Sequence, residues 1–285
     1  MSPATPCLLF LLLAASGTLP AADLIPSPPA AATDGAIAVE ADARQRLAFE
    51  PAPITGGACY RLVFEARAAG SPLLENIPRI HVARFENPRL FWRWELAQAD
   101  ATNIVVGRSA ASHQTIFSGD WRTYQDVFRA HPQAIRAKLV LLPPTAPVGL
   151  EIRRARLEPF DPGETVNLNG DFGLGDDCLA GWGSPFAGAG LRTIQGRRVY
   201  DTAYGSESAA FPLDARPYRV TVKRTTYGRD QAANLYLLNG GRTIKMVTVP
   251  ADGTLEFVPP AGTTSGFFKI YNSYLEAVRI VPLDE

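Results

Sequence analysis

Few residues of this chain are grouped as a catalytic centre would need. Asp and Glu total 28 and are scattered along the sequence. Hydrolysis of a glycosidic bond needs two carboxyl groups held at a set separation, and no local pair stands out. His81, His113 and His131 are the only histidines, and none sits in a His-x-x-x-His or His-Glu-x-x-His spacing. Gly205-Ser206 lacks the flanking residues of a Gly-x-Ser-x-Gly nucleophile turn. The expectation is a protein that is not an enzyme, with a site assembled from distant residues as the outside alternative.

Residues suited to binding are better represented. Sugars present apolar C–H patches on which aromatic rings stack, while polar side chains hold the hydroxyls. Leu90-Phe-Trp-Arg-Trp-Glu-Leu96 is the densest aromatic segment. Strand alternation puts Trp92, Trp94 and Leu96 on one face and Phe91, Arg93 and Glu95 on the other. Trp92 and Trp94 then form either a stacking platform or part of a core. Tyr204 beside Gly205-Ser206 and Tyr227 beside Gly228-Arg229 are expected in exposed loops, where rings can meet a ligand. The candidate ligand-binding residues are therefore Trp92, Trp94, Tyr204 and Tyr227.

The elements that must position these residues are strands. Period-2 alternation recurs in short runs: Tyr60–Ala66, Arg79–Phe85, Leu90–Leu96, Trp121–Phe128, Ile135–Leu142 and Leu150–Leu157. Phe160-Asp-Pro-Gly-Glu164 reads as a turn-rich hinge, and a second series of strands runs from Arg197 to Val281. Asn239-Gly240 between two apolar runs predicts a type I′ hairpin, and Asp252-Gly253 gives a similar signal. No segment sustains a helical period, so the fold class expected is all-β. The inward positions should include Leu62, Phe64, Val127, Leu139 and Leu141, then Val220, Val222, Leu235 and Leu237. Residues 23–35, with Pro26, Pro28 and Pro29, read as an extended and poorly packed Pro/Ala-rich arm.

Asn167-Leu-Asn-Gly-Asp-Phe172, the following Gly/Asp loop and Gly181-Trp182 resemble the first strand and loop of carbohydrate-binding modules. The likeness is to β-sandwiches of the families 4 and 9 type, with a galactose-binding-domain-like jelly roll. Trp121-Arg-Thr-Tyr-Gln-Asp-Val-Phe128 resembles a Trp-x-x-Tyr-x-x-x-Phe strand of the same modules. Gly56-Gly-Ala-Cys-Tyr-Arg-Leu-Val-Phe-Glu-Ala-Arg67 resembles an early strand. The resemblance implies two antiparallel jelly-roll β-sandwich domains in tandem, over 36–160 and 167–285 with a hinge at 161–166. It implies packing roles for Trp121 and Trp182. It also implies glycan as partner, with a protein partner of an adhesion or structural module as the alternative. No organic cofactor is implied. The one metal it allows is a structural Ca²⁺ in the second domain, on Asp171, Asp176, Asp177 and Glu276; Gly173 stands where the modules commonly carry an acidic residue.

Compartment and charge complete the sequence reading. Leu8–Ala15 is apolar but too short to span a bilayer, and small residues follow at Ser16, Gly17, Ala21 and Ala22. Residues 1–22 are therefore expected to be a signal peptide, and the protein a secreted or periplasmic one of bacterial type, with no stable membrane insertion. Lys+Arg and Asp+Glu both total 28, and no basic stripe suggests nucleic acid. Beyond Cys7, Cys59 and Cys178 are left as an even pair. They form either an interdomain disulfide or two separate thiols.

Overall fold

The computed structural model describes residues 20–27, 32–33, 35–39, 46–69, 92–109, 114–115, 119–143, 149–174, 180–183, 190–202, 205–225 and 232–283. Among these every regular element is a β-strand, and every pairing is antiparallel. The strands form four sheets. Across the first run Arg122–Arg129, Cys59–Ala69, Gly149–Pro159, Ala36–Val39 and Ala32–Thr33; Ala22–Asp23 also joins Gly149–Pro159. The second is built on Trp92–Ala99 and Arg136–Leu142, with Gln114–Thr115, Val105–Ser109, Leu47–Phe49, Ala52–Pro53 and Pro26–Ser27 around them.

The third sheet orders Trp182–Gly183, Ser206–Ser208, Ser265–Ile270, Ala233–Asn239 and Arg242–Val249, with Phe211–Pro212 also on Ser265–Ile270. The fourth orders Gly190–Ile194, Arg197–Asp201, Tyr274–Pro282, Tyr218–Arg224 and Thr254–Phe257.

Alternation explains how the sheets pair. Leu62, Phe64, Tyr124, Ile152 and Leu157 of the first sheet share one buried cluster with Trp94, Leu96, Leu139 and Leu141 of the second. Val220, Val222, Val278 and Ile280 of the fourth sheet share another with Leu235, Leu237, Phe268 and Ile270 of the third. Each pair of sheets therefore encloses one core and leaves two outer faces.

Of the expected inward residues only Val127 belongs elsewhere. It is buried in a third cluster with Cys59, Leu168 and Ala180, where the two layered units meet. The Asp126 carboxylate seals that junction, accepting the Gly181 N–H at 2.8 Å and the Val127 N–H at 2.9 Å. Gly181 needs its missing Cβ here. Its φ is +71°, and a Cβ would lie 3.0 Å from Val127 Cγ2.

The Asn-Gly-Asp-Phe segment works as a structural clasp. Asn167 donates to the Val278 carbonyl at 2.8 Å and accepts the Ile280 N–H at 2.8 Å, so its side chain stands in for a strand partner of Tyr274–Pro282. Gly170 lies so close to that strand that a Cβ would meet the Val278 oxygen at 2.1 Å. Asn169 donates to the Leu174 and Ala180 carbonyls at 3.0 and 2.9 Å. Phe172 is buried against Trp182 and Tyr200, with ring centroids 5.3 Å away in each case.

Three expectations change. At the start of the Pro/Ala-rich arm Leu24 is buried in the first core and donates its N–H to the Ala155 oxygen, while residues 28–31 and 34 lie outside the described residues. Pro26, which lacks an N–H, pairs at the outer end of the second sheet, where an edge position tolerates proline. The hairpin turn centres one residue later than expected, on Gly240-Gly241, both with positive φ, because Asn239 still pairs with Arg242. The strands Val105–Ser109 and Gly190–Ile194 are additional to those anticipated. Arg79–Phe85, and residues 1–19 of the expected signal peptide, lie outside the described residues.

Candidate functional site

The outer face of the third sheet brings together two cross-strand rows of different character. In the first row Phe267 pairs with Tyr236, and Tyr236 pairs with Met246. The Tyr236 and Phe267 rings are near parallel, at 14° with centroids 4.9 Å apart. Both are half-buried, whereas Met246 is 51% exposed and Ile244 on the same strand 43%. Their neighbours Leu235, Leu237 and Phe268 point the other way into the core, as the two-residue repeat of a strand requires. The result is an apolar ridge on a face that no other described sheet covers.

The second row lies one step along the same strands, about 7 Å away from the strand rise. It runs Glu207, Lys269, Asn234, Thr248. Lys269 Nζ meets Glu207 at 2.7 Å, and Thr248 donates its hydroxyl to Asn234 Oδ1 at 2.9 Å. The hydrogen bond to Glu207 pushes the Lys269 pKa up. Lys269 also stands 5.8 Å over the Tyr271 ring. An aromatic row beside a row of donors and acceptors suits a ligand with one apolar and one hydroxylated aspect.

The residues anticipated from sequence fall elsewhere. Trp94 is fully buried between the first two sheets, edge-on to Phe64 at 5.7 Å. Its ring is core and takes no part in a surface platform, because the face it shares with Leu96 is the one the first sheet covers. The side chain of Trp92 lies outside the described residues, as do Tyr204, Tyr227, Asp176, Asp177 and Cys178. Asp171 is exposed and accepts the Gly173 N–H at 3.2 Å. Glu276 is held by Lys223 Nζ at 2.6 Å and Arg197 Nη1 at 2.9 Å. Those two cations hold its carboxyl below the usual range. A carboxylate already neutralised by two cations does not fit a Ca²⁺ ligand. No group of three His, Cys, Asp or Glu suited to a metal occurs among the described residues. Cys59 is a buried free thiol.

Sequence reasoning missed the Tyr236–Phe267 ridge. Both residues occur in alternating strands, but the register that makes them neighbours spans 31 positions and has no local signature.

No family model matches the chain, and no curated protein matches it. Solved structures give loose superpositions. A tandem of family 22 carbohydrate-binding modules from Paenibacillus barcinonensis Xyn10C is 11% identical, covering 95% of this chain and all of that one, at a TM-score of 0.29. The tandem family 51 modules of a Streptococcus pneumoniae glycoside hydrolase are 11% identical, covering 91% of this chain and 86% of that one, at 0.22. The PBSX exported protein XepA is 14% identical, covering 92% of this chain and 85% of that one, at 0.24. Likeness at these scores fixes neither the fold family nor a ligand.

Proposed function

We propose that this is an exported, non-catalytic glycan-binding protein made of two jelly-roll sandwich modules, about 36–160 and 167–285. In this reading the second module holds its ligand on the outer face of the third sheet. The observation that carries it is the Phe267–Tyr236–Met246 row beside the Glu207–Lys269–Asn234–Thr248 row. The ridge would meet the C–H side of a sugar, and Glu207, Lys269 and Thr248 its hydroxyls, with the buried Asn234 positioning Thr248. The resemblance of Asn167–Trp182 to carbohydrate-binding modules supports the same reading.

A protein partner is the second reading, favoured by one observation. Arg242–Val249 is the outermost strand of the third sheet and exposes Ile244 and Met246, features that let a partner chain add a strand. An array of neutral glycans probed with the mature protein separates the two. Binding that Tyr236→Ala and Phe267→Ala weaken supports the glycan reading. A blank array, with both variants folded, sinks it.

A further inference from the structure

The outer face of the first sheet carries a lattice of opposite charges. Arg61 faces Glu158 across the strands, Glu65 faces Arg153, and Arg67 faces Glu151. A register shift between Arg153 and Arg156 adds two more guanidiniums. Arg154 sits in the shift with φ +52° and reaches Glu65 at 2.8 Å, while Arg156 bonds Glu158. Such a bulge re-aims a side chain that regular alternation would send to the core face.

The lattice therefore has five guanidiniums on three carboxylates, and with the exposed Asp23 opposite Arg156 the face carries an excess of one positive charge. Arg67, Arg153 and Arg156 reach their carboxylates through Nε. Their terminal Nη atoms make no hydrogen bond to the described residues. Trp121 backs this surface, with Arg153 Cζ 4.1 Å and Arg67 Cζ 4.9 Å from the ring centroid. Exposed ion pairs add little to folding, and a non-glycine residue in the left-handed region costs stability. Strain of that kind is characteristic of binding surfaces.

We infer that this face is a second binding surface, for a polysaccharide bearing carboxylate groups, that is, a polyuronate. A guanidinium edge matches the two oxygens of a planar carboxylate, and the internal Arg–Glu pairs each engage only one carboxylate oxygen per arginine. The Trp121 ring, stacked against Arg153 and Arg67, holds two of these guanidiniums in place. The inference extends the glycan reading to a ligand class, on residues separate from the third sheet.

Affinity electrophoresis of the mature protein through gels containing polygalacturonate tests it. Retardation is expected at low salt and should fade as added salt screens the charges. The Arg153→Gln/Arg156→Gln double variant should bind about tenfold more weakly. Glu65→Gln, which removes a competing internal carboxylate, should bind more tightly. These opposite directions guard against a simple loss of folding. No retardation of the native protein, or equal retardation of the Arg double variant, overturns the inference. Equal retardation by dextran sulfate overturns the carboxylate assignment. Loss of polygalacturonate binding in folded Tyr236→Ala would move the site to the third sheet. A blank neutral-glycan array with polygalacturonate binding intact sinks the third-sheet reading and leaves this one standing.

Discussion

The outer faces of the first and third sheets use the same pleated backbone for opposite purposes. On the first, Arg and Glu alternate across neighbouring strands, so that each charge meets its opposite. On the third, like meets like: aromatic beside aromatic in one row, polar beside polar in the next. A charge lattice satisfies itself and recognises a ligand only through its excess. Segregated rows leave apolar surface for a ligand to cover. Register decides between these outcomes, since a slip of one residue would exchange every outward side chain for a core one.

The strongest test of the comparison removes a ring from beneath a face. Trp94→Ala should cost about 3–5 kcal/mol, because it leaves a cavity in a fully buried site. Thermal unfolding should show a drop of roughly 10 °C or more. A small shift would mean that the indole is exposed, and would restore the tryptophan platform.

The junction between the units comes next. Asp126→Ala strands the buried Gly181 and Val127 N–H groups, which should cost about 1–3 kcal/mol. Urea titration reads that loss. Calorimetry should then resolve two transitions if the Asp126 contact is what couples the units.

Tyr236→Ala and Phe267→Ala should each weaken glycan binding by about 1–2 kcal/mol, with a smaller melting shift than Trp94→Ala. Isothermal titration against an array-identified glycan checks this. Equal loss of binding and stability would mark the ridge as packing alone.

Cys59 supplies a chemical probe of the junction. Burial pushes its thiol pKa up, with Arg129 opposing and Asp161 adding to the shift. It should resist thiol reagents in the native state and react once the chain is denatured without reductant. Failure to react when denatured would show that it is bonded, as in the Cys59–Cys178 disulfide.

The smallest expected effect is acid sensitivity of the charge lattice. Burial alone would raise the carboxyl pKa of Glu65, but hydrogen bonds from Arg153 and Arg154 outweigh it and hold the value below normal. Glu158 behaves likewise under Arg61 and Arg156. Groups with depressed folded values add stability above the unfolded pKa, about 4.3 for Glu. They lose it as pH falls through the folded value. The melting temperature should therefore decline below about pH 4, and less so in Glu65→Gln. For exposed pairs the difference should be about 1 kcal/mol or less.

Much of this architecture was legible in the sequence because strand alternation is a local property. Leu62, Phe64, Val220 and Leu235 declared their inward face within a few residues, and each is buried. Gly-rich turns announced themselves through the φ values they require, to within one residue at Gly240-Gly241. Alternation, however, sorts side chains into two sets without saying which set another sheet will cover. Alternation alone leaves Trp94 between core and platform, and the first sheet closing over it makes it core. Likewise Asn167 and Gly170 carried a recognisable motif, but their clasp on Val278 and Ile280 depends on a strand more than 100 residues away. Sequence determined the strands and the chemistry each could carry. Tertiary structure alone decided which faces meet solvent and which side chains become neighbours, because register and sheet packing are settled by contacts between distant segments.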